Sequence, residues 1–319
     1  MLKFAKKISF LVIIVSIIST TIFCVGEFGF SNVYKNNYQK GWVYQYRAIQ
    51  NADRDKNKII LFGSSYLTFG VDIDRLSQET GMPVYALGIH SGMGMNYVFE
   101  TVEKFTNEGD IVVFPFLYVD EVDYGMDLIN ISLDNEPDLY FDFFKEHPLE
   151  VLRGAGKATY RKLYQTFHDL VKGQTDDNIT VYDARAFDPS NGNLIYDRPS
   201  CIADDETLYD WDYDFNKIDP TYIAQVSQII DMCDEKGASF YMAYAPIIYS
   251  SVTSSKDEIQ EYTTGLKNTF DVPFIFDLED VFVTKKYVYD LPMHMNNTGK
   301  VFYTDMIYNG LSQYVVFTD

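Results

Sequence analysis

A serine that attacks an acyl carbon needs a base for its proton, a carboxylate to orient that base, and N–H donors for the oxyanion. Ser65 is the serine best placed for this chemistry. It follows Gly63-Ser64 directly after the apolar run Lys58–Phe62, KIILF. A glycine there lets a strand turn sharply into a helix and sets the next hydroxyls at the carboxyl edge of a sheet, where open α/β sheets bind ligands. Gly-Ser-Ser alone is weak, because serines in such places commonly just cap helices. The base candidate is His294, in the segment Asp290-Leu291-Pro292-Met293-His294-Met295-Asn296-Asn297-Thr298-Gly299. Pro292 makes this segment extended or turned, so Asp290 can reach one imidazole nitrogen while the other faces a serine. A lone histidine is more often structural than catalytic. Ser65, Asp290 and His294 together form a candidate triad, and Asn297 or Thr298 is expected to cap the helix that follows.

Other reactive residues make weaker cases. The four histidines, His90, His147, His168 and His294, are too scattered for a multi-histidine metal site, so neither metal nor cofactor is expected. His90 lies near the proposed site in Gly88-Ile89-His90-Ser91-Gly92-Met93-Gly94; a loop role is favoured over substrate contact. Those glycines open a helix but do not form the Gly-x-Gly-x-x-Gly phosphate cradle, and a dinucleotide site is rejected. Three cysteines are too few for a disulfide scaffold. Cys201 and Cys233 are read as two separate thiols, with pairing in an oxidising compartment as the alternative.

The elements that would carry these residues alternate. Strands are expected at Lys58–Phe62, Pro83–Leu87, Asp110–Phe116, Ser239–Ala245 and Val272–Phe276. Helices are expected near Ile73–Thr80, Asn96–Asn107, Pro220–Lys236, Lys256–Thr269 and Asn297–Tyr314. Short apolar strands separated by helical patterns indicate βαβ units. The expected fold is α/β, a flavodoxin-like three-layer α/β/α sandwich with a mostly parallel central sheet. Residues 57–319 form the domain, and a mid-chain insertion at about 119–216 breaks the rhythm. It holds a helix at Pro148–Val171 and a hairpin turn at Asn191-Gly192, and is read as a lid or substrate-binding subdomain.

The N-terminal part sets the compartment. Lys3, Lys6 and Lys7 precede an uncharged run, Ile8–Val25, and Glu27 follows it. About 18 residues of helix span roughly 27 Å, just enough for a hydrocarbon core. The flanking charges put the N-terminus in the cytoplasm and the domain outside. Residues 1–27 are therefore expected to be a transmembrane anchor, with a cleaved signal peptide as the alternative, although Cys24-Val25-Gly26 is a poor cleavage site. Residues 28–56 read as a stalk with a short helix. A net charge of -20 without a basic stripe argues against nucleic-acid binding.

Gly63-Ser64-Ser65, Gly88 after the second strand, and the Asp290…His294-Met295-Asn296…Gly299 block resemble the SGNH (GDSL-like) hydrolase superfamily. They are most similar to its extracytoplasmic, polymer-modifying branch, which includes DltD and the alginate O-acetylation proteins. The likeness covers roughly 57–118 and 237–318. It implies Ser65 as nucleophile, with Ser64 where the Gly-Asp-Ser block has aspartate, and Gly88 as an oxyanion donor. The gap from Asp290 to His294 is one residue longer than the family's usual one. The family's third block supplies an oxyanion asparagine; here Leu117-Tyr118-Val119-Asp120-Glu121 has none. Losing such a donor costs about 10²–10³ in rate. Tyr118 or Asn96 replaces it, the reaction is slow and specialised, or the site is no longer catalytic. The resemblance implies a serine-dependent esterase or O-acyltransferase acting on a cell-surface polysaccharide or related envelope polymer. Its partners would be an acyl donor and a membrane-bound O-acyltransferase. The alternative is a non-catalytic polymer-binding or assembly protein that retains the fold.

Overall fold

The computed structural model describes residues 2–24, 33–118, 123–172, 178–204 and 207–317, with the backbone alone at some positions of two helices. Helices α1 (Leu2–Cys24) and α2 (Lys40–Gln50) lead into β1 (Ile59–Phe62), α3 (Ser65–Gly70), α4 (Ile73–Thr80) and β2 (Val84–Leu87). Next come α5 (Met95–Phe105), β3 (Ile111–Phe116), α6 (Met126–Ser132), α7 (Pro137–Glu146) and α8 (Pro148–Lys172). The chain continues through α9 (Pro220–Lys236), β4 (Ser239–Tyr244), β5 (Ile247–Ile248), α10 (Lys256–Phe270), β6 (Phe282–Val283) and α11 (Asn297–Leu311). These elements fall into two compact units: Gly41–Gly125 with Arg185–Asp319, and Met1–Lys40 with Met126–Ala184.

The first unit is α/β and carries an all-parallel sheet in the order β2-β1-β3-β4. Every residue of β1 and β3 is buried, as a parallel sheet covered on both faces requires. Helices flank it as in a flavodoxin-like three-layer sandwich: α5 packs with α9, and α11 packs with α3 and α4. Local chemistry fixes the helix ends. Asp72 accepts from the Arg75 N–H at the start of α4, Pro220 opens α9 behind Asp219, and Ser255 with Glu258 forms a capping box on α10. At the amino edge of the sheet, buried Lys58 pairs with Asp110 at 2.6 Å, joining the approaches to β1 and β3.

Four expected strands are present, and the fifth is not. Val272–Phe276 makes a single bridge, Phe274 with Met242. Asp271 leaves α10 at φ 45° and Pro273 has no N–H to give a ladder, so only the Pro273 carbonyl and the Ile275 N–H bond to Met242. The segment read as a stalk is partly built into the unit. Residues 28–32 lie outside the described residues, but Trp42, Val43, Tyr46 and Ile49 of α2 are buried, and Trp42 Nε1 donates to Tyr97 Oη at 3.2 Å. The turn at Asn191-Gly192 closes through Asp188 and Asn193, yet its flanks make one bridge, Phe187 with Leu194, rather than two strands.

The second unit takes only part of the expected insertion, Met126–Ala184, and residues 185–216 of that stretch belong to the first. Here Lys162 pairs with Asp134 at 2.8 Å, both buried. Helix α8 spans the expected range, and α1 is continuous from Leu2 to Cys24. Val25, Gly26, Glu27 and the Lys3 side chain lie outside the described residues. Among the described residues no helix is long and apolar enough to cross a membrane.

Candidate active site

The nucleophile segment is built from two close backbone approaches. A Cβ on Gly63 would fall on the Tyr66 hydroxyl, and one on Gly88 would lie 2.8 Å from the Gly63 carbonyl carbon and 3.0 Å from the Ser64 nitrogen. The turns after β1 and β2 therefore approach this closely because position 88 lacks a side chain, while the bare Gly63 leaves room for the Tyr66 hydroxyl. Ser64 takes the N-cap position of α3 but makes no side-chain cap bond. Ser65 begins the helix, half-buried, and its Oγ lies 2.8 Å from His294 Nε2. The capping alternative for Ser65 therefore does not hold.

The base comes from a loop that closes on itself. Val288 bridges Met295, the Tyr289 N–H donates to the His294 carbonyl, and the His294 N–H donates to the Leu291 carbonyl. The Pro292 carbonyl accepts from Ile248 at 2.8 Å, fixing the loop to β5. This fold-back brings Asp290 Oδ1 within 2.9 Å of His294 Nδ1. The helix cap lies one residue earlier than expected. Asn296, not Asn297 or Thr298, accepts from the Gly299 N–H, and its amide donates to the Lys286 and Val288 carbonyls. Asn297 instead accepts from the Arg198 N–H at 3.1 Å.

His294 is 2% exposed, and its ring stacks on Phe69 with centroids 3.9 Å apart and planes 9° from parallel. The Arg198 guanidinium sits over the same Phe69 ring at 5.2 Å. Arg198 is fully buried and donates to the carbonyls of Met295, Tyr196 and Phe69. Burial holds the His294 pKa below the ordinary histidine value; Asp290 opposes this, and the positive charge of Arg198 adds to it. Neutral imidazole, with its proton on Nδ1 toward Asp290, presents Nε2 as an acceptor to the Ser65 hydroxyl. That is the protonation state a general base requires.

Gly88 lies against the Gly63-Ser64 backbone, and each of the three expected oxyanion residues has a partner of its own. The Gly88 N–H donates to Gln45 Oε1 at 3.0 Å, so this donor is already satisfied from α2. Gln45 is 1% exposed, and its amide also reaches Thr68 Oγ1 at 3.3 Å. Asn96 accepts from the Gln225 side chain, which holds it between α5 and α9. Tyr118 lies past the carboxyl end of β3 with its ring 5.3 Å from that of Tyr222. Val119-Asp120-Glu121 lie outside the described residues. His90 takes the loop role, its Nδ1 accepting from the Gly92 N–H at 2.9 Å.

Cys24, Cys201 and Cys233 are unpaired; Cys233 is buried, which pushes its thiol up to about 12. Among the described residues no cluster of His, Cys, Asp and Glu is placed to hold a metal ion. A polar cleft of about 580 Å³ between α4 and the start of α11 includes Asp72, Asn193, Tyr196, Asp197, Asn297 and Lys300 in its lining. None of the three triad residues lines it.

Sequence reasoning missed Arg198, Phe69 and Gln45. Arg198 had one faint signal: it is the lone cation between Arg185 and Lys217 in a strongly acidic stretch. No protein-family model matches the chain, and no curated protein matches its sequence.

Proposed function

We propose that this protein is an extracytoplasmic, serine-dependent acyl- or acetyl-handling enzyme. It would be an esterase or an O-acyltransferase, held at the membrane by residues 8–25 and acting on a cell-surface polysaccharide or related envelope polymer. One observation carries the enzymatic part: Ser65 Oγ, His294 and Asp290 form an unbroken chain of contacts at 2.8 and 2.9 Å. His294 Nε2 takes the Ser65 proton as Oγ bonds to the acyl carbon. The proton then passes to the departing alkoxide, leaving an acyl-serine. Water resolves that intermediate in a hydrolase, and a sugar hydroxyl resolves it in a transferase. The polymer class, a membrane-bound O-acyltransferase partner and the outward topology rest on the resemblance to the SGNH superfamily and on the charges around the apolar run.

A second reading, a polymer-binding protein without turnover, is favoured by the engagement of the Gly88 N–H with Gln45. Labelling with a serine-directed fluorophosphonate separates the two, with p-nitrophenyl acetate as a turnover substrate. The full chain is expected to label and to release p-nitrophenol. Ser65→Ala should do neither, and His294→Ala should lose on the order of 10⁴–10⁶ in rate. A folded wild type that neither labels nor turns over would overturn the reading of a self-sufficient enzyme, leaving a binding protein or an enzyme completed by its membrane partner.

A further inference from the structure

The helix α8 presents an apolar face to solvent. Leu149, Leu152, Tyr160, Tyr164, Phe167 and Val171 are each more than half exposed, and at 3.6 residues per turn they share one side. Val151, Ala158 and Lys162 are buried on the other. Arg153 lies within the stripe, and Lys157 and Arg161 run along one edge of it. They contact Glu150 and Asp127 yet stay 74, 61 and 44% exposed. The helix sequence carries an excess of Lys and Arg over Asp and Glu in a chain whose net charge is -20. An apolar stripe of this length on a soluble surface marks a contact site.

We propose that α8 lies flat on an anionic lipid surface, with its aromatic and aliphatic stripe sunk into the headgroup region. This rests on the membrane-anchor reading above. Two observations select lipid over a protein partner. Within their compact unit α8 packs against α1, the helix that contains the apolar run. The stripe is also bordered by cations and rich in tyrosine and phenylalanine, the composition of helices that rest at a bilayer interface. The same cations keep α8 from entering the hydrocarbon core.

A Cβ at Gly156, on this face, meets nothing within 4 Å, so a reporter there disturbs no packing. The test uses the full chain carrying Cys24→Ser, Cys201→Ser and Gly156→Cys, labelled with an environment-sensitive nitrobenzoxadiazole. It is reconstituted into nanodiscs of phosphatidylcholine and phosphatidylglycerol, with and without brominated acyl chains. Expected are co-elution with the discs, blue-shifted emission and at least twofold quenching by the brominated lipid. Quenching should weaken in phosphatidylcholine alone and after Tyr164→Ser with Phe167→Ser. Co-elution with water-like emission would overturn the α8 proposal and leave the anchor standing. Blue-shifted emission without quenching would overturn it in favour of a protein partner. Failure to co-elute would remove the anchor, and the α8 proposal with it.

Discussion

At the scale of the residue, the site turns on keeping one imidazole neutral. A buried His294 beside Asp290 is pulled both ways: the carboxylate favours the imidazolium, while burial and Arg198 disfavour it. Burial dominates, so the base form should persist below the ordinary histidine pKa. The acid limb of the kcat/KM profile for p-nitrophenyl acetate is expected there. Arg198→Met keeps an apolar cover on Phe69 but deletes the charge. The His294 pKa should then rise and the acid limb move to higher pH, while Arg198→Lys, which retains the charge, should leave the limb nearer its original place. A limb that stays fixed in a folded Arg198→Met protein would remove Arg198 from the electrostatics. The grouping of Ser65, His294 and Asp290 was legible in sequence because its signals are local: a serine two positions after a strand-ending glycine, and a carboxylate four residues before a histidine. Arg198, Phe69 and Gln45 were not, because each acts through a partner distant in the chain, and an isolated arginine or phenylalanine carries no sign of what it will stack on.

At the scale of the element, the site depends on how closely two strand ends approach. An alanine Cβ at position 88 would press on the Gly63 carbonyl and the Ser64 nitrogen at 2.8 to 3.0 Å, and backbone atoms of the turn between β1 and α3 cannot yield as a side-chain tip would. Gly88→Ala should cost about 1–3 kcal/mol in stability, the usual penalty of overpacking, measured as a lowered Tm. It should also move Ser65 by a fraction of an ångström and slow fluorophosphonate labelling by roughly 10- to 100-fold. Unchanged labelling would show that this contact does not set the nucleophile's position. The sheet itself was readable because short apolar runs flanked by Asp, Ser, Pro and Gly specify buried parallel strands and capped helices. Apolarity alone misread Val272–Phe276, where Pro273 and the left-handed Asp271 leave one bridge. The short helix expected in residues 28–56 is present as α2, but its polar and aromatic composition did not reveal its burial, with Trp42 completely buried. At α2 tertiary packing outweighs local pattern, whereas at Val272–Phe276 a proline and a left-handed residue outweigh apolarity.

At the scale of the whole molecule, the net charge constrains which polymer can approach. A surface at -20 repels anions over about a Debye length, roughly 10 Å at 0.1 M salt. Many envelope polymers carry phosphate or carboxylate groups, and for such an acceptor the protein's own field opposes encounter. Salt screens that repulsion. If the proposed acceptor is anionic, kcat/KM for polymer should therefore rise with ionic strength between about 0.02 and 0.2 M, by up to roughly tenfold. Turnover of neutral p-nitrophenyl acetate at the same Ser65 should stay flat over that range, because no net charge is being brought in. The paired measurement separates encounter from chemistry. A rise in both would point to a salt effect on the fold or on the triad. A fall with polymer alone would require a basic docking surface local enough to overcome the global charge, and α8, with its exposed Arg153, Lys157 and Arg161, would be the first place to remove it. No dependence for either substrate would mean the acceptor is an uncharged glycan, for which the acidic surface serves solubility and leaves recognition to hydrogen bonds and aromatic contacts.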